Sequence, residues 1–345
     1  MGGITMRGWK VVLATAGAVG LGLLAAGGAD LGARPAGAQE LKEVRMGYLP
    51  LVSWAPYFLA IEKGYYREQG LRVELSRFRT AADMYGALKT ATLEVGTGSV
   101  AAGHFNSVAK GVRMKIVGDK GTLGPGCGYS YFLVRKDLAG EITSPRDLKG
   151  RRIMLNAPAG APVYLLARLL ERAGLTYKDV KLVYLGFPQM PVAFRQKAID
   201  VAHIVDPQGV RAIEAGDAEP FLNSREVPIV NGANVGMMFY AEHFMTQRRD
   251  QAVGFMVAYV KGIRDYLKAP QGEEVVRVVS KYTQVSPEIV AKSQKMCIDP
   301  TGRVPVENIM EQQEFWYARG EVERRLTAED LITQAFAEAA ERRLR

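Results

Sequence analysis

Gly96-Thr97-Gly98-Ser99 closes a β-like run and opens a helical pattern, and Asn156-Ala157-Pro158-Ala159-Gly160-Ala161 repeats that arrangement further along the chain. A strand that ends in small residues and turns into a helix presents free backbone N–H groups and the positive helix end to a polar or anionic group. Two such turns facing each other across a cleft would grip a ligand from both sides. Gly98 and Ser99 on one side, and Pro158, Ala159, Gly160 and Ala161 on the other, are therefore candidate ligand contacts, although each segment also reads as a plain tight turn. Tyr48, Trp54 and Tyr57 could supply apolar walls with a polar edge. Trp54 and Tyr57 lie three apart, so they equally suit the buried face of one helix. Asp206 follows the strand-like run Val201–Val205 and precedes Pro207. It fits a helix cap and contact with a ligand amine or hydroxyl equally well. Asn231 and Asn234 could bond a ligand or simply turn the chain.

Other chemistries find no support. His104, His203 and His243 are scattered, and neither H-E-x-x-H nor D-x-D-x-D-G occurs, so no metal site is expected. No G-x-S-x-G, S-x-x-K or paired Cys–His signature appears, so no catalytic residue and no cofactor is expected. Cys127 and Cys297 make at most one bridge, which excludes a disulfide-rich scaffold or a Cys-built metal cluster; whether they pair stays open. Lys and Arg number 45 against 36 Asp and Glu, a net of +9, but the basic pairs stand near acids and form no arm or stripe. A nucleic-acid partner is not expected.

The elements that must position these residues follow from the pattern. A chain of 345 residues, 48% hydrophobic, suggests two domains or one large one. Arg7 and Lys10 precede an uncharged run, Val11–Ala29, and Ala36-Gly37-Ala38 offers a small-x-small site. This predicts a signal peptide over 1–38, cleaved after Ala38, and a periplasmic mature chain of net charge +7. The alternative, a membrane anchor, is disfavoured because Ala and Gly are weak in transfer energy. Short β-like runs then alternate with amphipathic helices, which predicts an α/β protein with mainly parallel strands. Thr80 is placed to cap a helix running to Lys89. After Gly236–Tyr240 the pattern turns almost wholly helical, so a middle α/β unit is inserted between an N-terminal α/β unit and a helical tail.

Four segments in order carry a resemblance. Met46-Gly47-Tyr48-Leu49-Pro50 with Ala55-Pro56-Tyr57-Phe58-Leu59-Ala60, Gly64-Tyr65-Tyr66 and Glu68 to Glu74 form the first. Glu94 to Ser99, Ile142 to Ile153, and Ile199-Asp200-Val201-Ala202 are the others. Together they resemble the nitrate/sulfonate/taurine/thiamine-pyrimidine group of ABC-transporter substrate-binding proteins, SsuA-like and THI5-like. The resemblance implies a type II periplasmic-binding-protein fold, with two α/β lobes around a hinged cleft. Lobe I would comprise 39–124 and 229–345 and lobe II 125–228, with crossovers near Gly121–Tyr131 and Glu219–Gly236. Members usually carry Glu-Pro where this chain has Asp206-Pro207, a shorter carboxylate. The implied function is capture of a small polar or aromatic organic solute (a sulfonate, nitrate, carboxylate or thiamine precursor) by a monomer that delivers it to an ABC permease and ATPase. The alternatives are an enzyme on the same fold, of pyrimidine-synthase or menaquinone-pathway type, and a ligand-sensing module for a membrane receptor.

Overall fold

In the computed structural model, which describes residues 40–345, two five-stranded sheets are built from alternating strands and helices. The predicted export segment and its cleavage site lie outside the described residues. The first sheet contains β1 (Lys42–Tyr48), β2 (Leu71–Arg77), β3 (Val95–Gly98), β4 (Met114–Thr122) and β10 (Asn234–Ala241), in the order β2-β1-β3-β10-β4. The second contains β5 (Ser130–Arg135), β6 (Arg152–Leu155), β7 (Lys181–Tyr184), β8 (Val201–Val205) and β9 (Ala218–Pro220), in the order β7-β6-β8-β5-β9. The central strands β5 and β8 are buried along their whole length, and their near-continuous apolar runs suit a sheet covered on both faces. Thr80 and Asp83 exchange reciprocal bonds at the start of the helix Ala82–Lys89, Thr80 N–H to Asp83 Oδ2 at 3.0 Å and Asp83 N–H to Thr80 Oγ1 at 3.4 Å.

The strands are less parallel than the alternation suggests. β1 pairs in parallel with β2 and β3, and β6 with β7 and β8. β10 runs antiparallel to β3 and β4, and β5 antiparallel to β8 and β9. The antiparallel members are the strands that pass the chain between sheets. The chain leaves β4 for β5 through 123–129 and returns into β10 after β9. A strand entering from the opposite lobe runs against those that a crossover helix has returned to the same edge.

One ionic device appears in both sheets with the same geometry. Glu94, just before β3, accepts from the Arg45 amide at 2.8 Å, its Nε at 3.1 Å and its Nη2 at 2.6 Å. Asp200, just before β8, accepts from the Arg152 amide at 2.8 Å, its Nε at 3.1 Å and its Nη2 at 2.6 Å. Arg248 and His243 also reach Glu94, and Arg135 reaches Asp200 at 2.9 Å. Burial alone would raise both carboxyls, but these donors hold each below its ordinary value. Each therefore contributes stability that is present above the ordinary carboxylate range and lost as pH falls through the lower folded-state value. Asp200→Asn strands the guanidinium partners and is expected to cost roughly 3–5 kcal/mol in urea unfolding at neutral pH. A midpoint equal to wild type would show that the clamp carries no stability.

Cys127 in the first crossover is bonded to Cys297, 170 residues later, and the Thr122 amide donates to the Cys297 carbonyl at 2.8 Å beside it. The bridge ties the crossover to the helical tail. In the chain-entropy account a loop of this length gives about 5 kcal/mol, with removal of native bridges typically costing about 2–5. The double variant Cys127→Ala/Cys297→Ala should therefore unfold at markedly lower urea, and an unchanged midpoint would show that the bridge does not form.

Candidate functional site

The carboxyl ends of β3, β4, β6 and β8 and the amino end of β5 converge on one cavity of about 60 Å³. From the first lobe come Ser53, Trp54, Gly98, Ser99 and Lys120; from the second come Ser130, Asn156, Ala161, Phe187 and His203. Crevices at the carboxyl ends of strands, where connections diverge, are where open α/β sheets bind ligands.

Lys120 dominates the electrostatics. Its side chain is buried, its Nζ lies 3.6 Å from the Trp54 ring centroid and it donates to Ser53 Oγ at 2.9 Å. No described carboxylate forms an ion pair with it, and the neighbouring Asp119 points to the other side of the strand. There Asp119 accepts from Asn234 Nδ2 at 2.8 Å and from the amides of Gly121 at 2.9 Å and Asp299 at 3.0 Å. Burial pushes the Lys120 ammonium down to about 7, with Asp119 pulling the other way, and raises the Asp119 carboxyl to about 6. Trp54 is fixed in turn, since its Nε1 donates to Thr97 Oγ1 at 2.7 Å and Thr97 donates to the Gly47 carbonyl at 2.8 Å.

Across the cavity, Ser130 Oγ and His203 Nε2 are 2.8 Å apart. The His203 Nδ1, the Asn156 Oδ1 and the Tyr129 hydroxyl are buried with no partner among the described residues. Burial lowers His203 to about 3, so its ring is neutral at ordinary pH. The sequence shows no nucleophile–base pair, yet here a serine and a histidine 73 positions apart share a hydrogen bond. A ring with so low a proton affinity, and no carboxylate on its far nitrogen, is a poor general base. It presents a neutral polar ring to the cavity. Among the described residues no cluster of His, Cys, Asp or Glu could hold a metal ion.

The residues singled out from sequence divide sharply. Trp54, Gly98, Ser99 and Ala161 line the cavity. Gly98 has φ +149° and an added Cβ would lie 2.4 Å from the Ala81 Cβ, while Gly160 has φ +94° and an added Cβ would lie 2.8 Å from Ser99 Oγ. The two turns thus meet, and only glycine permits that approach. Pro158 is exposed, Ala159 half-buried, and neither lines the cavity. Tyr57 belongs to the core: it is fully buried and stacked on Tyr259 with ring centroids 4.1 Å apart. Tyr48 packs edge-on against Phe58 at 5.8 Å. Asn234 is spent on Asp119 and on the Gly236 amide. Asp206 is fully buried, accepts from the Tyr131 hydroxyl at 2.7 Å and the Gln294 amide at 2.8 Å, and lies 3.7 Å from Arg225. Burial raises it to about 6 against the pull of Arg225. Its place is at the junction of the lobes and the tail, outside the cavity lining.

An ammonium with a proton affinity near pH 7 would make the binding of any anion at this cavity pH-dependent. An anion that pairs with Lys120 should bind about tenfold more weakly per pH unit above about 7, until the pKa of the complex is reached. Lys120→Met should abolish that slope while raising the melting temperature at pH 7. The stability gap between variant and wild type should shrink toward pH 10, because the unfolded chain binds this proton and the folded chain does not. Pairs of titrations at about pH 6 and pH 9 check the first expectation, and an identical slope in Lys120→Met would overturn it.

The comparisons with known proteins accord with this architecture. A Brucella abortus (strain 2308) protein named "Putative binding protein" is 27% identical over 247 residues, covering 70% of this chain and 72% of that protein. The alkanesulfonate-binding protein SsuA from Xanthomonas axonopodis pv. citri, bound to MOPS, superposes with a TM-score of 0.67 at 18% identity, over 86% of this chain and 99% of that one. The periplasmic nitrate-binding protein NrtA from Synechocystis PCC 6803 gives 0.73 at 13% identity, over 89% and 90%. The desulfurization enzyme DSZB gives 0.62 at 17% identity, over 88% and 100%. The architecture is the two-lobed α/β fold of type II periplasmic binding proteins. With the NMT1/THI5-like family model matching residues 52–273, the chain belongs to that family.

Proposed function

We propose that this protein is the extracytoplasmic solute-binding component of an ABC importer, and that it captures a small organic anion by closing its lobes. The observation that carries this is the Lys120 ammonium, buried between the two lobes with Ser53 and an aromatic face as its neighbours and no carboxylate partner. An anion would supply the missing counter-charge, and in a water-poor site such a pair is worth several times its value at the surface. Ser99, Ser130, Asn156 and neutral His203 add donors and acceptors from both sides. Similarity to sulfonate- and nitrate-binding proteins supports the same solute class. The predicted signal peptide and the disulfide suit an oxidising compartment outside the cytoplasm.

Contacts from both lobes exist together only when the cleft is shut, so the solute favours the closed form by its differential affinity. The loaded form would then be delivered to a permease. An enzyme on this fold has a specific precedent in the desulfurization enzyme DSZB, but the one serine–histidine contact in this cavity pairs a neutral, weakly basic His203 with Ser130 and has no carboxylate behind it. A panel of sulfonates, carboxylates and nitrate screened by thermal shift, with mass spectrometry of whatever co-purifies, identifies the solute. A ligand at a hundred times its Kd should add about 2.7 kcal/mol of stability. Small-angle scattering should then show a smaller radius of gyration on saturation. Turnover of the bound solute, or an unchanged radius from an open free form, would sink the proposal.

A further inference from the structure

The inner cavity is too small for a whole aromatic or medium-length organic solute. It measures about 60 Å³, well below the roughly 150 Å³ of an engineered apolar cavity that binds benzene. Only a head group fits beside Lys120. A second chamber of about 310 Å³ adjoins it, and Leu49, Leu51 and Phe187 belong to the walls of both. Phe78 and Pro188 continue the apolar wall outward. Arg77 and Arg79, two apart at and just beyond the end of β2, stand at its rim. Arg72 on the same strand is paired with Glu43 at 2.5 Å, while neither rim arginine has a carboxylate partner among the described residues.

Resting on the function proposed above, we infer that the solute is bipartite: a compact anionic head in the inner cavity, an apolar or aromatic body in the outer chamber, and a second acidic group facing Arg77 and Arg79. Nitrate or a small alkanesulfonate would leave the outer chamber and its two cations unused. An aromatic or medium-length aliphatic dianion uses all three regions. Leu49, Leu51 and Phe187, shared by the two chambers, lie where such a body would cross from one to the other.

Calorimetric titration with methanesulfonate, benzenesulfonate and 4-sulfobenzoate separates the regions. The ring should improve affinity by about tenfold or more over methanesulfonate, through apolar burial. The added carboxylate should improve it by a further threefold to tenfold or so, as expected for one group meeting two exposed arginines. That last gain should shrink in high salt. In Arg77→Gln/Arg79→Gln it should vanish, with benzenesulfonate binding unchanged. Equal affinity for the two aromatic probes, or a carboxylate gain that survives in the double variant, overturns the inference while leaving anion capture at Lys120 standing. Benzenesulfonate binding that is unaffected by Lys120→Met, or no binding of any probe at millimolar concentration, would overturn the underlying function as well.

Discussion

Both sheets are anchored by a carboxylate set immediately before a central strand and gripped by an arginine of the strand beside it. In parallel strands nothing in the ladder itself fixes where neighbouring strands end. Glu94 on Arg45 and Asp200 on Arg152 remove that freedom, holding Met46 opposite Val95 and Ile153 opposite Val201. Four or five residues later the strands run out, β3 at Gly98 and β8 at Val205, both at the cavity. A register slip of one residue would turn every side chain to the other face and dismantle both walls. The cleft is thus a consequence of ion pairs at the opposite ends of the strands that form it.

Asp119 and Lys120 show how a single strand serves both tasks. Successive side chains point to opposite faces, so Asp119 faces Asn234 of the returning strand and Asp299 of the tail, while Lys120 faces the cavity. The acid is satisfied by three donors, Asn234 Nδ2 and the amides of Gly121 and Asp299, and so ties the crossover strands to the tail. The base keeps only a hydroxyl and an aromatic face. A buried charge left in that condition works against folding, and a cavity lined by further unpartnered polar atoms surrounds it.

Much of this was legible in the chain and some was not, for identifiable reasons. The turn at Gly98-Ser99, the turn at Gly160-Ala161 and Trp54 were readable because small residues between a strand and a helix, and an aromatic at a helix entrance, are local signals. Helical spacing pairs Trp54 with Tyr57, yet Trp54 closes the tighter turn Val52–Trp54 before the helix Ala55–Glu62 begins, so the two rings diverge. Lys120 carries no local signal, because Gly118-Asp119-Lys120-Gly121 breaks the apolar run Met114–Val117 and reads as a turn beyond a short strand. β10 supplies the ladder that carries β4 on to Thr122. The Ser130–His203 contact depends on antiparallel pairing of β5 with β8, a long-range register that no local pattern encodes. The one sequence signal for this site is an acid–base dipeptide, Asp119-Lys120, in a strand that leads into a crossover.

The same uncompensated charge gives the proposed function its selectivity for the loaded state. The polar contacts between lobes are individually modest and include the Val52 amide to the Asp206 carbonyl at 3.1 Å, the Gln294 amide to the Asp206 carboxylate at 2.8 Å, Arg225 to the Lys292 carbonyl at 2.7 Å, and the Tyr164 hydroxyl to Glu311 at 2.7 Å with Arg168 at 3.7 Å. Such contacts are each worth about 1 kcal/mol and do not bias the lobes strongly by themselves. Shutting the empty cleft removes water from Lys120 and must either bury its charge or release its proton, and both oppose closure. An anion reverses the sign of that contribution, because its charge pairs with the ammonium only in the dry, shut cleft. A neutral solute of the same shape would fill the space without reversing it. Under the proposed function the lysine would make closure report the charge of the solute as well as its presence, the property a delivery protein needs if its empty form is to be ignored.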